Sequence, residues 1–438
     1  MARINFSHGT EADHARAFET IRQCADEAGK PIGILVDLAG PKVRLGEVPG
    51  GELELTRGAE FVLYTTGDRG DTGGSHVDYL ALAQDLRAGD RVLLADGAAE
   101  LRVIDVGADV RTEVVRGGII RSHSGVNIPA ERLSTPAITD KDVDDLERAL
   151  ELGADFLAQS FVRRAEDVRE LRRLVGGRPV KLIAKLETRS AIEEVDAILL
   201  DADAIMLARG DLGVEIPFEE VPVVQKDMLR RSGEAGIVSI VATQMLESMV
   251  HAPRPTRAEA SDVANAVLDG TDAILLSAET AIGSFPVEAV QAANAILGAA
   301  ESMGLGYVWD RRQPPPKSDI EAIAQGAAAL TKRDPNIGAI ACYTRTGRTA
   351  NLLSAFRPHV PVFAFSQDPQ VLRWLTLLRA VIPVQCDYPS DTDEMIRAMD
   401  RRLLGDGLLP KGTRVLMIAS TPVGKAQTNL LKIHQVGL

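Results

Sequence analysis

Lys181-Leu182-Ile183-Ala184-Lys185-Leu186-Glu187, then Ser190–Leu200, then Ala204-Ile205-Met206-Leu207-Ala208-Arg209-Gly210-Asp211-Leu212-Gly213 reads as strand, helix, strand. Each short apolar run ends in charged residues or glycine, and the segment between them is amphipathic at helical spacing. Working outward, the unit recurs: Ala2–Phe6, Ile32–Asp37, Phe156–Phe161, Val238–Thr243 and Ala273–Ser277 read as further strands, with Ala165–Val175 and Thr256–Leu268 as further helices. Strands alternating with helices predict an α/β fold with a parallel sheet covered by helices. Seven such strands are one short of a closed (β/α)8 barrel.

The rhythm changes between Lys42 and about Thr135, where Gly, Asp and Val are frequent and long helical patterns vanish. Glu52–Thr56, Glu60–Thr65, Arg91–Leu94 and Arg111–Val115 predict a small β-barrel domain inserted after the third barrel strand, placed to act as a lid over the strand ends. A Pro-rich joint, Gln313-Pro314-Pro315-Pro316, precedes a second α/β unit with strands at Ala339–Tyr343, Val362–Phe365, Val381–Gln385 and Arg414–Ala419. The expected division is a barrel from 1–41 and 136–312, a lid from 42–135 and a C-terminal α/β regulatory domain from 318–438.

Composition sets limits on partners. The 438 residues carry 49 Lys and Arg against 62 Asp and Glu, a net charge of −13, which argues against nucleic acid or an anionic membrane as a general partner. Three well-separated cysteines (Cys24, Cys342, Cys386), no apolar run of membrane-spanning length and no signal pattern point to a cytoplasmic protein.

Chemistry gathers at the strand ends. Lys185 and Glu187, two apart on one strand, project to one face, and two charges closing an apolar strand are costly to bury unless paired or used. Asp211 in the Arg209-Gly210-Asp211 turn supplies a second carboxylate, and two carboxylates plus water and substrate oxygens suit Mg²⁺. Thr243 and Ser277 close the next two strands, where the bland alternative is helix capping. Arg3, Asn5, Ser7 and His8 near the N-terminus, Asp37, and the run Gly40-Pro41-Lys42-Val43-Arg44 complete the set. Arg3, Lys42, Arg44 and Lys185 are expected to converge as a phosphate site within an acidic protein.

These residues resemble the pyruvate kinase family closely. Ala2–Gly9, Lys181–Glu187, Ala208–Gly213, Ala242–Met249 with Pro253–Glu259, and Ser261–Val267 are similar to its motifs, and the resemblance covers essentially the whole chain. It implies transfer of the phosphoryl group of phosphoenolpyruvate to ADP in glycolysis, with Mg²⁺ on Glu187 and Asp211. Lys185 would stabilise the phosphoryl group in flight, and Arg3 would hold the phosphate. Gly210, Asp211 and Thr243 would bind the carboxylate, Arg44, His8 and Asn5 would lie on the nucleotide side, and Thr243 and Ser277 would serve the protonation of the enolpyruvate. Thr344-Arg345-Thr346-Gly347-Arg348 resembles the family's sugar-phosphate effector loop, with an ordinary capped strand–helix turn as the alternative. A homotetramer is the assembly the resemblance implies.

Three departures stand out. The family begins with a further strand, whereas here Met1 abuts the Ala-Arg-Ile-Asn-Phe-Ser motif, so a truncated barrel missing its first strand is expected, with Met1 an internal methionine. Lys42 stands where many members carry a glutamate, beside the monovalent-cation region of Asn5, Ser7 and Asp37, so its ammonium is expected to replace K⁺. Ser124 stands where many relatives have a lysine that reaches the nucleotide phosphates, which predicts a weaker ADP contact from the lid. Two other readings compete: a Mg²⁺-dependent lyase acting on a pyruvate enolate, and a catalytically impaired truncated homologue that binds sugar phosphate.

Overall fold

The computed structural model describes residues 1–95, 97–129, 132–302, 315–420 and 428–438. Gln313 and Pro314 of the Pro-rich joint lie outside them. Among the described residues, no helix is long and apolar enough to cross a membrane.

Seven strands lie side by side in chain order and all parallel: Ala2–Asn5, Ile34–Asp37, Phe156–Gln159, Lys181–Leu186, Ala204–Ala208, Val238–Ala242 and Ala273–Leu275. Alternate side chains divide between two cores. Leu157, Leu182, Ile205 and Leu207 pack outward against helical residues such as Leu146, Leu171 and Ile198. Phe156, Ala158, Ile183, Met206 and Ile240 face the concave side and share a core with Trp374, Leu375 and Leu378 of the C-terminal unit. Burial on both faces is why these strands read as continuous apolar runs. Three of the helices start where a threonine holds their free amides: Thr10, Thr139 and Thr256 each form a reciprocal capping box with an acid three residues on.

Two expectations are corrected. The sheet is not missing its first strand: Ala2–Asn5 forms one at the N-terminus, in parallel register with Ile34–Asp37. Main-chain bonds from Ala2 to Gly33 and from Phe6 to Asp37 secure its two ends, and Ile4 is buried against the helix-side core. The architecture is accordingly a curled, open half-barrel of the (β/α) type rather than an eight-stranded barrel with a strand removed. The insertion also differs. It follows the second strand of the sheet, and it is a mixed sheet rather than a closed barrel, because Glu60–Tyr64 pairs antiparallel with Val110–Arg116 but parallel with Gly74–His76. Phe61, Leu63, Leu94 and Leu101 fill its separate core.

The C-terminal unit has a five-stranded sheet in the order Val381–Gln385, Val362–Ser366, Ile337–Tyr343, Arg414–Ala419, Leu430–Gln435, with only the last strand antiparallel. Asp155 ties this unit to the half-barrel. Its carboxylate is buried, accepts from the Ile34 amide at 2.8 Å, and pairs with Arg22 at 2.8 Å and with Arg373 of the C-terminal unit at 2.6 Å. Removing it strands two guanidiniums and a buried amide, so Asp155→Ala should lose about 3 kcal/mol of unfolding free energy in a denaturant titration.

Candidate active site

The polar residues collect where the parallel strands end, on the concave face. Arg3 donates through Nε to Asp37 Oδ2 at 2.8 Å and pairs through Nη2 at 2.6 Å. Asp37, only 1 % exposed, meets Lys185 Nζ at 3.2 Å through its other oxygen. Lys185 Nζ lies 2.8 Å from Glu187 Oε1 and donates to Ser160 Oγ at 2.7 Å. Four strands therefore contribute to one buried chain of groups: Arg3, Asp37, Lys185 and Glu187, with Ser160 between them.

Charge in this chain is unevenly compensated. Burial alone would favour neutral forms, yet the Lys185 and Arg3 cations hold the Asp37 carboxyl below the usual carboxylate range. The Lys185 ammonium would be lowered by burial, but the carboxylates of Asp37 and Glu187 overcome that and raise it. Glu187 goes the other way: burial raises its carboxyl, Lys185 opposes this, and the nearby Asp211 carboxylate adds to the rise. One ammonium shared between two acids leaves Glu187 short of positive charge. Its Oε2 accepts the Phe161 amide at 2.8 Å, while Oε1 sits within ion-pair distance of Lys185 but outside hydrogen-bonding geometry with any described residue.

The Ser160–Phe161 turn was not singled out from the sequence, although Gln159-Ser160 closing a strand was a visible polar signal. Ser160 Oγ donates to the Leu38 carbonyl at 2.7 Å, leaving its lone pairs for Lys185. Phe161 takes φ +52°, a left-handed value unusual for an aromatic residue, and this turns its amide toward Glu187. Gly40, at φ +66°, packs against the same turn, where a Cβ would lie 3.0 Å from the Phe161 ring.

On the next strands, Gly210 donates its amide to Thr243 Oγ1 at 2.8 Å, and that hydroxyl donates to the Ala242 carbonyl at 2.6 Å. Asp211 is half-exposed in the first turn after Ala208 and takes no hydrogen bond from any described residue. Ser277 stands at the N-cap position of the short helix Ala278–Ala281 but makes no side-chain capping bond, and the Thr243 hydroxyl is engaged by Gly210 and Ala242 instead. The Ser277 amide donates to buried Glu279 at 2.7 Å, and Glu279 also accepts the Leu246 amide at 3.0 Å, joining the ends of two strands. Glu279 and Arg209, whose guanidinium reaches Thr243, were not assigned roles from the sequence.

Other predicted residues stand apart. Arg44 donates to the His123 carbonyl at 3.3 Å within the inserted domain. Lys42 is exposed in a crevice that Arg163, Thr188 and Glu215 also line, with no carboxylate of a described residue at ion-pair distance. Asn5 Oδ1 accepts the Ser7 amide at 3.1 Å, and exposed His8 offers its carbonyl to the His14 ring at 2.7 Å. The loop after Ile337–Tyr343 buries Thr344, exposes Arg345, Thr346 and Arg348, and turns at Gly347 with φ +81° against Trp374. Arg345 lies 5.5 Å above the Tyr388 ring.

The donor set fits a hard divalent cation of low protein coordination. Among the described residues no three His, Cys, Asp or Glu side chains gather as a metal cluster. Glu187 and Asp211 are two carboxylates, one with an oxygen lacking a directed partner, and Mg²⁺ fills its remaining positions with water and substrate oxygens.

Residues 1–290 match the family described as "Pyruvate kinase, barrel domain", and residues 321–434 that described as "Pyruvate kinase, alpha/beta domain". A pyruvate kinase of Clostridium perfringens is 39 % identical over 446 residues, covering 99 % of this chain and 94 % of the relative. One from Mycobacterium tuberculosis is 41 % identical over 451 residues, covering 100 % and 93 %. One from Corynebacterium efficiens is 41 % identical over 449 residues, covering 100 % and 92 %.

Proposed function

Since the chain belongs to the pyruvate kinase family, we propose that this site transfers the phosphoryl group of phosphoenolpyruvate to ADP, giving pyruvate and ATP. The observation that carries the reading is the buried Lys185 ammonium, held between Asp37 and Glu187 and oriented by Ser160. An ammonium fixed there needs no reorganisation when negative charge builds on the transferred group, and such preorganised charge is the main source of catalysis in phosphoryl transfer.

In this reading Arg3 binds the phosphate of phosphoenolpyruvate, and Lys185 stays on the phosphoryl group as its bond to the enol oxygen breaks and a bond to the ADP terminal oxygen forms. Glu187 and Asp211 would hold Mg²⁺, which would supply positive charge to the phosphoryl group. The carboxylate would take the Asp211 amide and draw the Gly210 amide and the Thr243 hydroxyl from the bonds they make to Thr243 and Ala242. The enolate carbon then takes a proton from a water molecule on the side of Thr243 and Ser277, leaving hydroxide that solvent neutralises. Arg44, His8 and Asn5 serve the nucleotide, and residues 42–135 close over the site to exclude water. A cytoplasmic, glycolytic homotetramer with a sugar-phosphate effector on Thr344–Arg348 is the corresponding physiological picture.

The test is a coupled assay of pyruvate formation from phosphoenolpyruvate, ADP and Mg²⁺ with the full chain; absence of pyruvate at any Mg²⁺ concentration would refute the assignment. The same assay examines Lys42. Its ammonium stands in for K⁺ in this proposal, so activity should persist when K⁺ is replaced by a tetraalkylammonium salt, and loss of most activity would count against it.

A further inference from the structure

Thr243 and Gln244 are both left-handed, with φ +69° and +55°. For a β-branched threonine this is a true outlier, and two such residues in succession persist only where surrounding structure over-determines them. The structure shows what does so. Arg209, 11 % exposed at its side chain, donates through Nη2 to the Thr243 carbonyl at 3.0 Å and lies 3.0 Å from Met245 Sδ. Its Nη1 pairs with Asp262 at 2.7 Å, on the helix Arg257–Leu268. The next residue, Gly210, holds the Thr243 hydroxyl through its amide at 2.8 Å. Consecutive residues from the neighbouring strand end thus grip the carbonyl and the hydroxyl of one strained residue.

We propose that Arg209 is a positioning residue for Thr243, a clamp anchored on Asp262 that keeps the Thr243 hydroxyl at the mouth of the site. The inference rests on the reading of Thr243 given above. A fork of donors is required, because one cation must reach the Asp262 carboxylate and the Thr243 carbonyl at once. A lysine, with a single point charge, cannot hold both in fixed geometry. Without the clamp the turn relaxes toward ordinary backbone angles, and the hydroxyl moves with it.

The experiment is steady-state kinetics of the full chain carrying Arg209→Met, Thr243→Ala, and both. Arg209→Met should lower kcat by about 100-fold, the scale of a misplacement near 1 Å, and leave the KM for ADP unchanged. Combined with Thr243→Ala it should cost nothing further, because the clamp acts only through the residue already truncated. Should Arg209→Met not fold, Asp262→Asn provides the same cycle with a smaller loss. Losses that multiply in the double variant would overturn the clamp and leave the role of Thr243 standing. Full activity in Thr243→Ala would remove the role of Thr243 and the clamp with it, and an unaltered chain that makes no pyruvate would remove the proposed function itself.

Discussion

Lys185→Met should lower kcat for pyruvate formation by about a thousandfold and also destabilise the fold by about 3 kcal/mol. Both effects come from one feature. The ammonium is the only lysine charge reaching Asp37 and Glu187 among the described residues, and both acids are 1 % exposed. Methionine matches the stem but leaves buried Asp37 with Arg3 alone and buried Glu187 with the Phe161 amide alone. Lys185→Arg should recover most of the stability but little of the rate, because a planar fork cannot occupy the point where one ammonium meets Asp37, Glu187 and Ser160.

The pH dependence of stability separates the two roles further. Asp37 has its folded pKa depressed, so its contribution is present above the ordinary carboxylate range and is lost as pH falls through the depressed value. Lys185 has its folded pKa raised, so its contribution is present below the ordinary lysine value and is lost as pH rises through the raised one. Lys185→Met removes the second contribution and weakens the first, so acid unfolding should begin at higher pH. Chemical denaturation across a pH series measures this; an unchanged acid limb would mean that Arg3 alone keeps Asp37 ionised.

What could be read from the sequence follows from how locally each feature is determined. Lys185 and Glu187 share a strand face, so the two-residue period alone places them together. The helix beginning at Thr256 is likewise local, its capping box lying within four residues. Arg209 was hidden because its partners, Asp262 and Thr243, lie 53 and 34 residues away. Ser160 was hidden because a serine closing a strand is a common sight, and only the register of adjacent strands brings it to Lys185. Arg44 is close in sequence to Asp37, yet its guanidinium bonds the His123 carbonyl of the inserted domain, a contact 79 residues away that no local pattern announces. The expected missing first strand rests on the resemblance together with a count against an eight-stranded ideal, and neither says which strands pair; Ala2–Asn5 is the first strand of the sheet.

Glu187→Gln should separate stability from function. Burial raises the folded pKa of this carboxyl above its unfolded value, so the fold favours the neutral form, and ionisation at neutral pH costs stability. A neutral amide of the same shape relieves that cost while Asp37 and Ser160 continue to hold Lys185. Without metal, the variant should equal the parent or exceed it by about 1 kcal/mol. With Mg²⁺ the order should reverse: the parent gains stability with the logarithm of metal concentration, the variant gains little, and its kcat falls by about a thousandfold. Melting curves across a Mg²⁺ series decide the matter without reference to activity. Equal stabilisation of both proteins would mean that Mg²⁺ is held elsewhere, and a metal-free variant less stable than the parent would make Glu187 a structural partner of Lys185. If the predicted reversal occurs, the strain of the uncompensated Glu187 carboxylate is the feature that makes this strand end select a divalent cation, and the stability sacrificed there is recovered only when the ion binds.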